Sequence, residues 1–273
     1  MTEAAISVVI RVKDEAGPVG RTLDLLARQT VRPEIVVVDS GSTDGTLGVV
    51  GRHDVRLVEI PAASFTFGGA LNTGAEHASC EVVVALSAHS FPKDDGWLAR
   101  MLAAMSDPNV ACASGQHVTP EGAILLDDVV QDLALAAAHP LWGYSSHAGA
   151  FRRSLWSERP FRTDMTASED KEWAWHWLER GRTVVLGPGL TVDHSHTGDP
   201  ARAQFDRAYR EWSWAGAFAA VPRQPVSELV GRWWREQEGY PNRARARLSP
   251  KRIGRLTGEF AGRRMASRHK GPA

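Results

Sequence analysis

Between Ala5 and Ser114 the chain alternates five short, strand-like runs with helix-patterned segments, and this rhythm constrains the fold more than any other feature. Ala5–Val12, Glu34–Asp39 (EIVVVD), Val55–Ile60, Glu81–Leu86 (EVVVAL) and Val110–Ser114 read as buried strands. Val19–Gln29, with Leu23, Leu26 and Ala27 on one face, Gly69–Ala78 and Asp94–Met105 read as the helices between them. Ser42 or Thr43 is a candidate N-cap for a further short helix. Strands separated by helices predict βαβ units and a mostly parallel sheet. Such sheets bind ligands outside the carboxyl ends of their strands. That directs attention to Lys13–Glu15, Asp39–Asp44 and Ser87–Ser90. Further on, the pattern predicts a helix near Val129–Ala138, an aromatic helix over Glu169–Gly181, a short strand at Thr183–Leu186 and a second aromatic helix over Arg202–Phe218.

At 273 residues there is room for one large domain, or one domain plus an appendage. Two cysteines, Cys80 and Cys112, are too few for a disulfide scaffold or a Cys-rich zinc module and fit a reducing compartment. No apolar run approaches the ~20 residues of a membrane span. The short acidic start lacks the basic, then apolar, pattern of a secretory signal, so a cytoplasmic protein is expected. The net charge of zero conceals an asymmetry: residues 221–273 hold thirteen Lys/Arg against four Asp/Glu. The expected division is therefore a body over 1–220 and a basic, Arg/Trp-rich extension over 221–273. Trp233-Trp234 among arginines has the composition of an interfacial helix that meets a membrane surface; it suits an acidic carrier protein equally, or a helix folded back on the body. No nucleic-acid module or phosphate-binding P-loop is present, and no nucleic-acid partner is expected.

Four segments stand in a telling order: SVVIRVKDEAGPVGRTLDLLARQTVRPEIVVVDSGSTDGT, FTFGGALNTGAEHASCEVVVALSAHSFPKDDGWL, SEDKEWAWHWLERG and VDHSHTGD. Together they resemble the family 2 glycosyltransferases, and the last resembles the rhamnosyltransferase-like branch. The resemblance covers Ile6–Gly198. It implies an α/β, Rossmann-like GT-A fold with a mostly parallel central sheet and flanking helices, followed here by a basic helical appendage. It also implies inverting transfer of a sugar from a UDP- or dTDP-linked donor to a hydroxyl or amine. The acceptor is a small molecule, a lipid-linked or growing saccharide, or a carrier-bound group. A sugar nucleotidyltransferase and a non-catalytic scaffold are the rival readings; IRVKDEAGPVG matches the former's glycine-rich signature poorly.

By this resemblance Asp39 accepts a hydrogen bond from the nucleotide base, with Ser40 beside it; the alternative is that Asp39 only caps its turn. Arg11, Val12, Lys13 and Glu15 begin the nucleoside pocket. Gly68 allows close backbone approach to the nucleotide, and Asn72 contacts it or ties the loop. The family's Asp-x-Asp metal motif is here Ser87-Ala88-His89, a departure from the pattern. His89 with His194 or His196 is a candidate site for Mn²⁺, less so for Mg²⁺, which prefers oxygen. Metal-free catalysis and loss of activity are the alternatives. Asp170 is the expected general base and Glu169 an acceptor-binding or orienting group. Trp142, Tyr144 and Gly149 are expected to wall the acceptor and sugar. Trp173 and Trp177, four residues apart, are expected in the core.

Overall fold

A computed structural model of the chain describes residues 5–194, 199–237 and 240–269. The chain divides into two compact units, Met1–Met165 with Glu169–His194, and Thr166–Ser168 with Ser195–Ala273. Residues 221–273 thus belong to the second unit together with the segment from Ser195 onward.

The first unit runs β1 (Ser7–Val12), α1 (Ala16–Ala27), β2 (Glu34–Asp39), α2 (Thr46–Val50), β3 (Arg56–Glu59), α3 (Phe67–His77), β4 (Val82–Ser87), β5 (Phe91–Pro92), α4 (Trp97–Ala104) and β6 (Val110–Gly115). It continues with β7 (Val129–Gln131), α5 (Leu133–Ala138), β8 (Ala148–Arg152), α6 (Arg153–Glu158), α7 (Glu169–Leu178), β9 (Thr183–Gly187) and β10 (Val192–Asp193). Eight strands form one sheet in the order β3-β2-β1-β4-β8-β6-β9-β7. β3, β2, β1 and β4 are mutually parallel, as are β6 and β9; β8 and β7 run against their neighbours. The α/β architecture expected from the strand–helix rhythm is therefore present.

Both faces of the sheet are buried. Val8, Ile10, Val37, Val84 and Leu86 enter one core, and Val9, Val36, Val38, Val83 and Ala85 the other. Burial on both sides is why these strands read as continuous apolar runs rather than alternating ones. Trp173 and Trp177 lie in the second core, as expected from their spacing.

Two local expectations need correction, and one strand was not expected. The helix expected over Val129–Ala138 splits: Val129–Gln131 pairs with β9, and Asp132 caps the shorter helix α5 by accepting from the Leu135 N–H at 2.9 Å. Neither Ser42 nor Thr43 caps α2, which starts after Gly45; Asp44 instead accepts from the Thr46 N–H at 2.8 Å. The sequence AGAFR of β8 has little strand propensity, yet it lies between β4 and β6. A side chain at Gly149 would strike the Ser145 carbonyl and the Tyr144 ring, each 2.7 Å from an added Cβ. Small residues suit this crowded slot, so tertiary context overrides propensity.

The second unit holds α8 (Ala201–Ala215), α9 (Val226–Arg235), α10 (Arg243–Leu248) and α11 (Pro250–Met265). α8 and α11 are close-packed along Gly254, Gly258 and Gly262, which face the backbone of Ala201, Phe205 and Tyr209 in the same order. Absence of Cβ at every fourth residue lets two parallel helices touch backbone to backbone. Among the described residues no helix is long and apolar enough to cross a membrane.

Candidate active site

The loops after β1 and β2 are stitched together by short polar side chains. The Asp14 N–H donates to Ser42 Oγ at 2.9 Å, and the Thr43 N–H donates to Asp14 Oδ1 at 2.7 Å. The Glu15 N–H donates to Thr46 Oγ1 at 2.9 Å. Asp14 has φ +52° and Gly41 φ +83°, so both turns pass through the left-handed region. Asp39 is fully buried. Its carboxylate accepts from the N–H groups of Gly41 (2.8 Å) and Ser42 (2.9 Å) and from Ser42 Oγ (2.5 Å), so the turn-capping role left open in the sequence is realised. Ser40 is buried and donates to the Val12 carbonyl at 3.3 Å, and Val12 itself belongs to the core. Lys13 is exposed at this edge.

A second group forms where β8 runs beside β4. Leu86 pairs with Ala148, which brings Ser146 and His147 to the carboxyl ends of β1 and β4. The Ser146 N–H donates to Asp170 Oδ2 at 2.8 Å, and the Lys171 N–H to Asp170 Oδ1 at 2.8 Å. Lys171 Nζ lies 3.8 Å from Asp170 Oδ1 and donates to the Tyr144 carbonyl at 3.3 Å. Arg11 donates to the Ser146 carbonyl at 3.1 Å and approaches Glu169 Oε1 at 3.9 Å. Both acids open α7, immediately after Ser168, whose φ of +63° is a strained conformation for a residue with a side chain.

The two acids sit in different electrostatic settings. Burial, then the negative charge of Asp170, pushes Glu169 up to about 7, against the opposing pull of Arg11. Burial also acts upward on Asp170, but Lys171, the N–H groups of Ser146 and Lys171, and Arg11 outweigh it and hold the carboxyl below its usual range. Adjacent carboxyls with acidities pushed apart can divide proton acceptance and proton donation between them.

The third group is imidazole-rich. Val192 pairs with Pro92 and Asp193 with Phe91, an antiparallel ribbon that carries His194 to His89. Their Nε2 atoms are 3.0 Å apart, and His89 Nδ1 is 2.6 Å from Glu15 Oε1. The His147 ring centroid is 4.7 Å from that of His194. His196 lies outside the described residues. Among the described residues no group of three or more His, Cys, Asp or Glu side chains forms a metal cage.

Several residues expected near the ligand are tied within the protein. Asn72 Oδ1 accepts from Trp156 Nε1 and the Phe161 N–H, both at 2.9 Å, and Nδ2 donates to the Phe161 carbonyl at 2.9 Å. A Cβ at Gly68 would collide with the Arg162 carbonyl, so this glycine admits protein backbone at close range. Ala88 is in the core and its carbonyl accepts from Thr22 Oγ1 at 2.7 Å; the Ser87 N–H extends the ladder to the His147 carbonyl at 2.8 Å. Tyr144, 1% exposed, and Gly149 are interior. Trp142 is half-buried and donates to the Val118 carbonyl at 2.9 Å. Ser146 and Lys171 escaped the sequence reading. The lysine directly after the acid pair was the visible signal; nothing local marked Ser146.

The Asn72→Ala variant is expected to lose about 2–3 kcal/mol of stability, because two partly buried donors lose their acceptor. Urea unfolding checks this, and nucleotide titration of the folded variant should give an unchanged affinity.

Comparison with known proteins bears on the family and the fold. An O-antigen chain rhamnosyltransferase, WbaN, from Salmonella anatum is 23% identical over 202 residues, covering 67% of this chain and 62% of the relative. An O-antigen biosynthesis protein, RfbC, from Myxococcus xanthus is 27% identical over 142 residues, half of this chain and 11% of the relative. The chain thus spans less than two thirds of either relative. Among solved structures, a mannosyltransferase from Pyrobaculum calidifontis in complex with GDP-Man and Mn²⁺ superposes with TM-score 0.64 at 21% identity, over 97% of this chain and 73% of that one. S. aureus TarS 1-349 superposes with TM-score 0.58 at 14% identity, over 95% and 91%. These structural likenesses speak to the GT-A fold. The model of glycosyl transferase family 2 matches residues 7–172, a span holding β1, His89 and the acid pair, and the chain belongs to that family.

Proposed function

We propose that this protein transfers a sugar from a nucleotide-diphosphate donor, UDP- or dTDP-linked, to a hydroxyl or amine acceptor with inversion at the anomeric carbon. The observation that carries the reading is the Glu169–Asp170 pair, held at the start of α7 by Ser146, Lys171 and Arg11. Asp170, ionised and fixed by two backbone N–H groups, takes the acceptor proton as the new C–O or C–N bond forms. Glu169, poised near neutrality, hydrogen-bonds the acceptor and orients it. Lys13, exposed at the end of β1, offers positive charge to the diphosphate. Rotation of Ser42 frees Asp39 Oδ1 to accept from the imide N–H of a pyrimidine. One relative is named for O-antigen chain rhamnosyl transfer, which supports a polysaccharide or lipid-linked saccharide acceptor.

His89 and His194 would hold a divalent ion of the Mn²⁺ type by exchanging their present Nε2–Nε2 hydrogen bond for it. Glu15 beside His89 Nδ1 favours the proton on that nitrogen and leaves Nε2 with its lone pair toward His194, the carboxylate–histidine arrangement common at metal sites. Nitrogen donors suit Mn²⁺ better than Mg²⁺. With His89 and His194 as its holders, the ion's contribution when bound is to neutralise charge on the leaving diphosphate.

A thermal-shift panel of UDP, dTDP, GDP and CDP, each with EDTA, Mg²⁺ or Mn²⁺, tests the proposal. A nucleotide at ~100 times its Kd adds about 2.7 kcal/mol. A shift with a pyrimidine diphosphate that grows with Mn²⁺ and loses that growth in His89→Ala is the expected result. An equal shift in EDTA removes the metal from the mechanism. A cooperatively melting protein that responds to no nucleotide sinks the donor site.

A further inference from the structure

The second unit carries an apolar stripe that folding does not use. In α9, Val226, Val230 and Trp234 recur every fourth residue and are 57%, 52% and 54% exposed. Arg232 on the opposite side of the helix and Trp233 on the flank beside Val226 are anchored. Arg232 bonds Glu259 Oε1 and Glu236 Oε1, each at 2.8 Å. Trp233 Nε1 donates to the Arg247 carbonyl at 3.1 Å, and Arg252 donates to the carbonyls of Arg232 (2.9 Å) and Trp233 (3.2 Å). With 100° per residue, these contacts leave positions 226, 230 and 234 on a common outward arc. The Trp234 Nε1–H makes no hydrogen bond with a described residue, and Arg247 stacks on the ring at 3.5 Å. Leu248, next in the chain, is 78% exposed.

Three arginines of α9 and α10 lack a fixed counter-charge among the described residues. Arg235, Arg243 and Arg245 are exposed, and among the described residues none of them forms an ion pair. Residues 221–273 hold thirteen basic against four acidic side chains. A protein partner would need carboxylates held in register and a broad complementary surface. Three side chains along one convex helix offer too narrow a face for that. A bilayer surface meets the geometry better: acyl chains accept the aliphatic residues, the headgroup layer hydrates an unpaired indole N–H, and mobile anionic lipids gather around unpaired guanidinium groups.

We propose that Val226, Val230 and Trp234, with Arg235, Arg243 and Arg245, dock this protein on an anionic lipid surface. The proposal is independent of the donor chemistry argued above. Flotation of the full chain with phosphatidylcholine vesicles, with and without phosphatidylglycerol, tests it. The protein is expected to float with the anionic vesicles, to be released by high salt, and to stay unbound with phosphatidylcholine alone. Val230→Ser with Trp234→Ser should weaken binding at least about tenfold, and Arg243→Gln and Arg245→Gln about fivefold each. All variants should melt as the parent does, since the substituted side chains are exposed. No flotation of the parent with anionic vesicles overturns the proposal. So does binding that both sets of substitutions leave unchanged. A concentration-dependent dimer in sedimentation velocity that Val230→Ser with Trp234→Ser abolishes would instead assign the face to a second copy of this chain.

Discussion

Replacing Asp170 with asparagine is expected to lower turnover by about a thousandfold, within the range typical of losing a general base. The effect should fall on kcat, with little change in the donor KM, because proton acceptance strengthens only as the new bond forms. Asparagine keeps the volume and can accept one of the two N–H groups that the carboxylate now binds; its amide nitrogen must then face the N–H of Ser146 or Lys171. That mismatch costs about 1–3 kcal/mol, so melting temperature and nucleotide response need to be measured on the same preparation. A folded, nucleotide-responsive variant that turns over the donor within about threefold of the parent would remove Asp170 from the base role.

Replacing Glu169 with glutamine is expected to stabilise the protein at alkaline pH and to leave it unchanged under mildly acidic conditions. The Glu169 carboxyl is raised from 4.5 to about 7 in the folded protein, chiefly by burial and by the charge of Asp170. Between these values the folded chain retains a proton that the unfolded chain has released, so parent stability falls as pH rises. At ~1.4 kcal/mol per pH unit the window amounts to about 3 kcal/mol. Glutamine carries no titrating proton, and its advantage should grow from pH 5 to pH 8 toward that figure. Asp170 acts with the opposite sign. Its carboxyl is held below the usual range, so its contribution is present above the unfolded value near 3.8 and is lost on further acidification, below the window that Glu169 controls. Urea unfolding at several pH values separates the two. Parallel pH profiles for parent and Glu169→Gln would show that the buried pair does not titrate as described.

The parallel half of the sheet was legible because its burial is encoded locally. Runs such as EIVVVD and EVVVAL need no partner to announce an interior strand. The acid pair was legible for a similar reason: SEDKE opens a strong aromatic helix, and consecutive acids at a helix start are both favourable and chemically usable. Tertiary structure decided the rest. AGAFR becomes β8 because β4 and β6 pair with it on either side, and the crowding at Gly149 leaves no room there for a side chain. His89 and His194, 105 residues apart, meet because a two-residue ribbon sets their register. Asn72 looks like a ligand contact in sequence and is a tie in space, since an amide's role depends on which donors and acceptors the fold brings to it. Asp39 likewise meets the N–H groups of its own turn. Hydrophobic patterning and capping are short-range properties of the chain and can be read from it, whereas register, crowding and the pairing of buried polar groups arise only when distant segments are brought together.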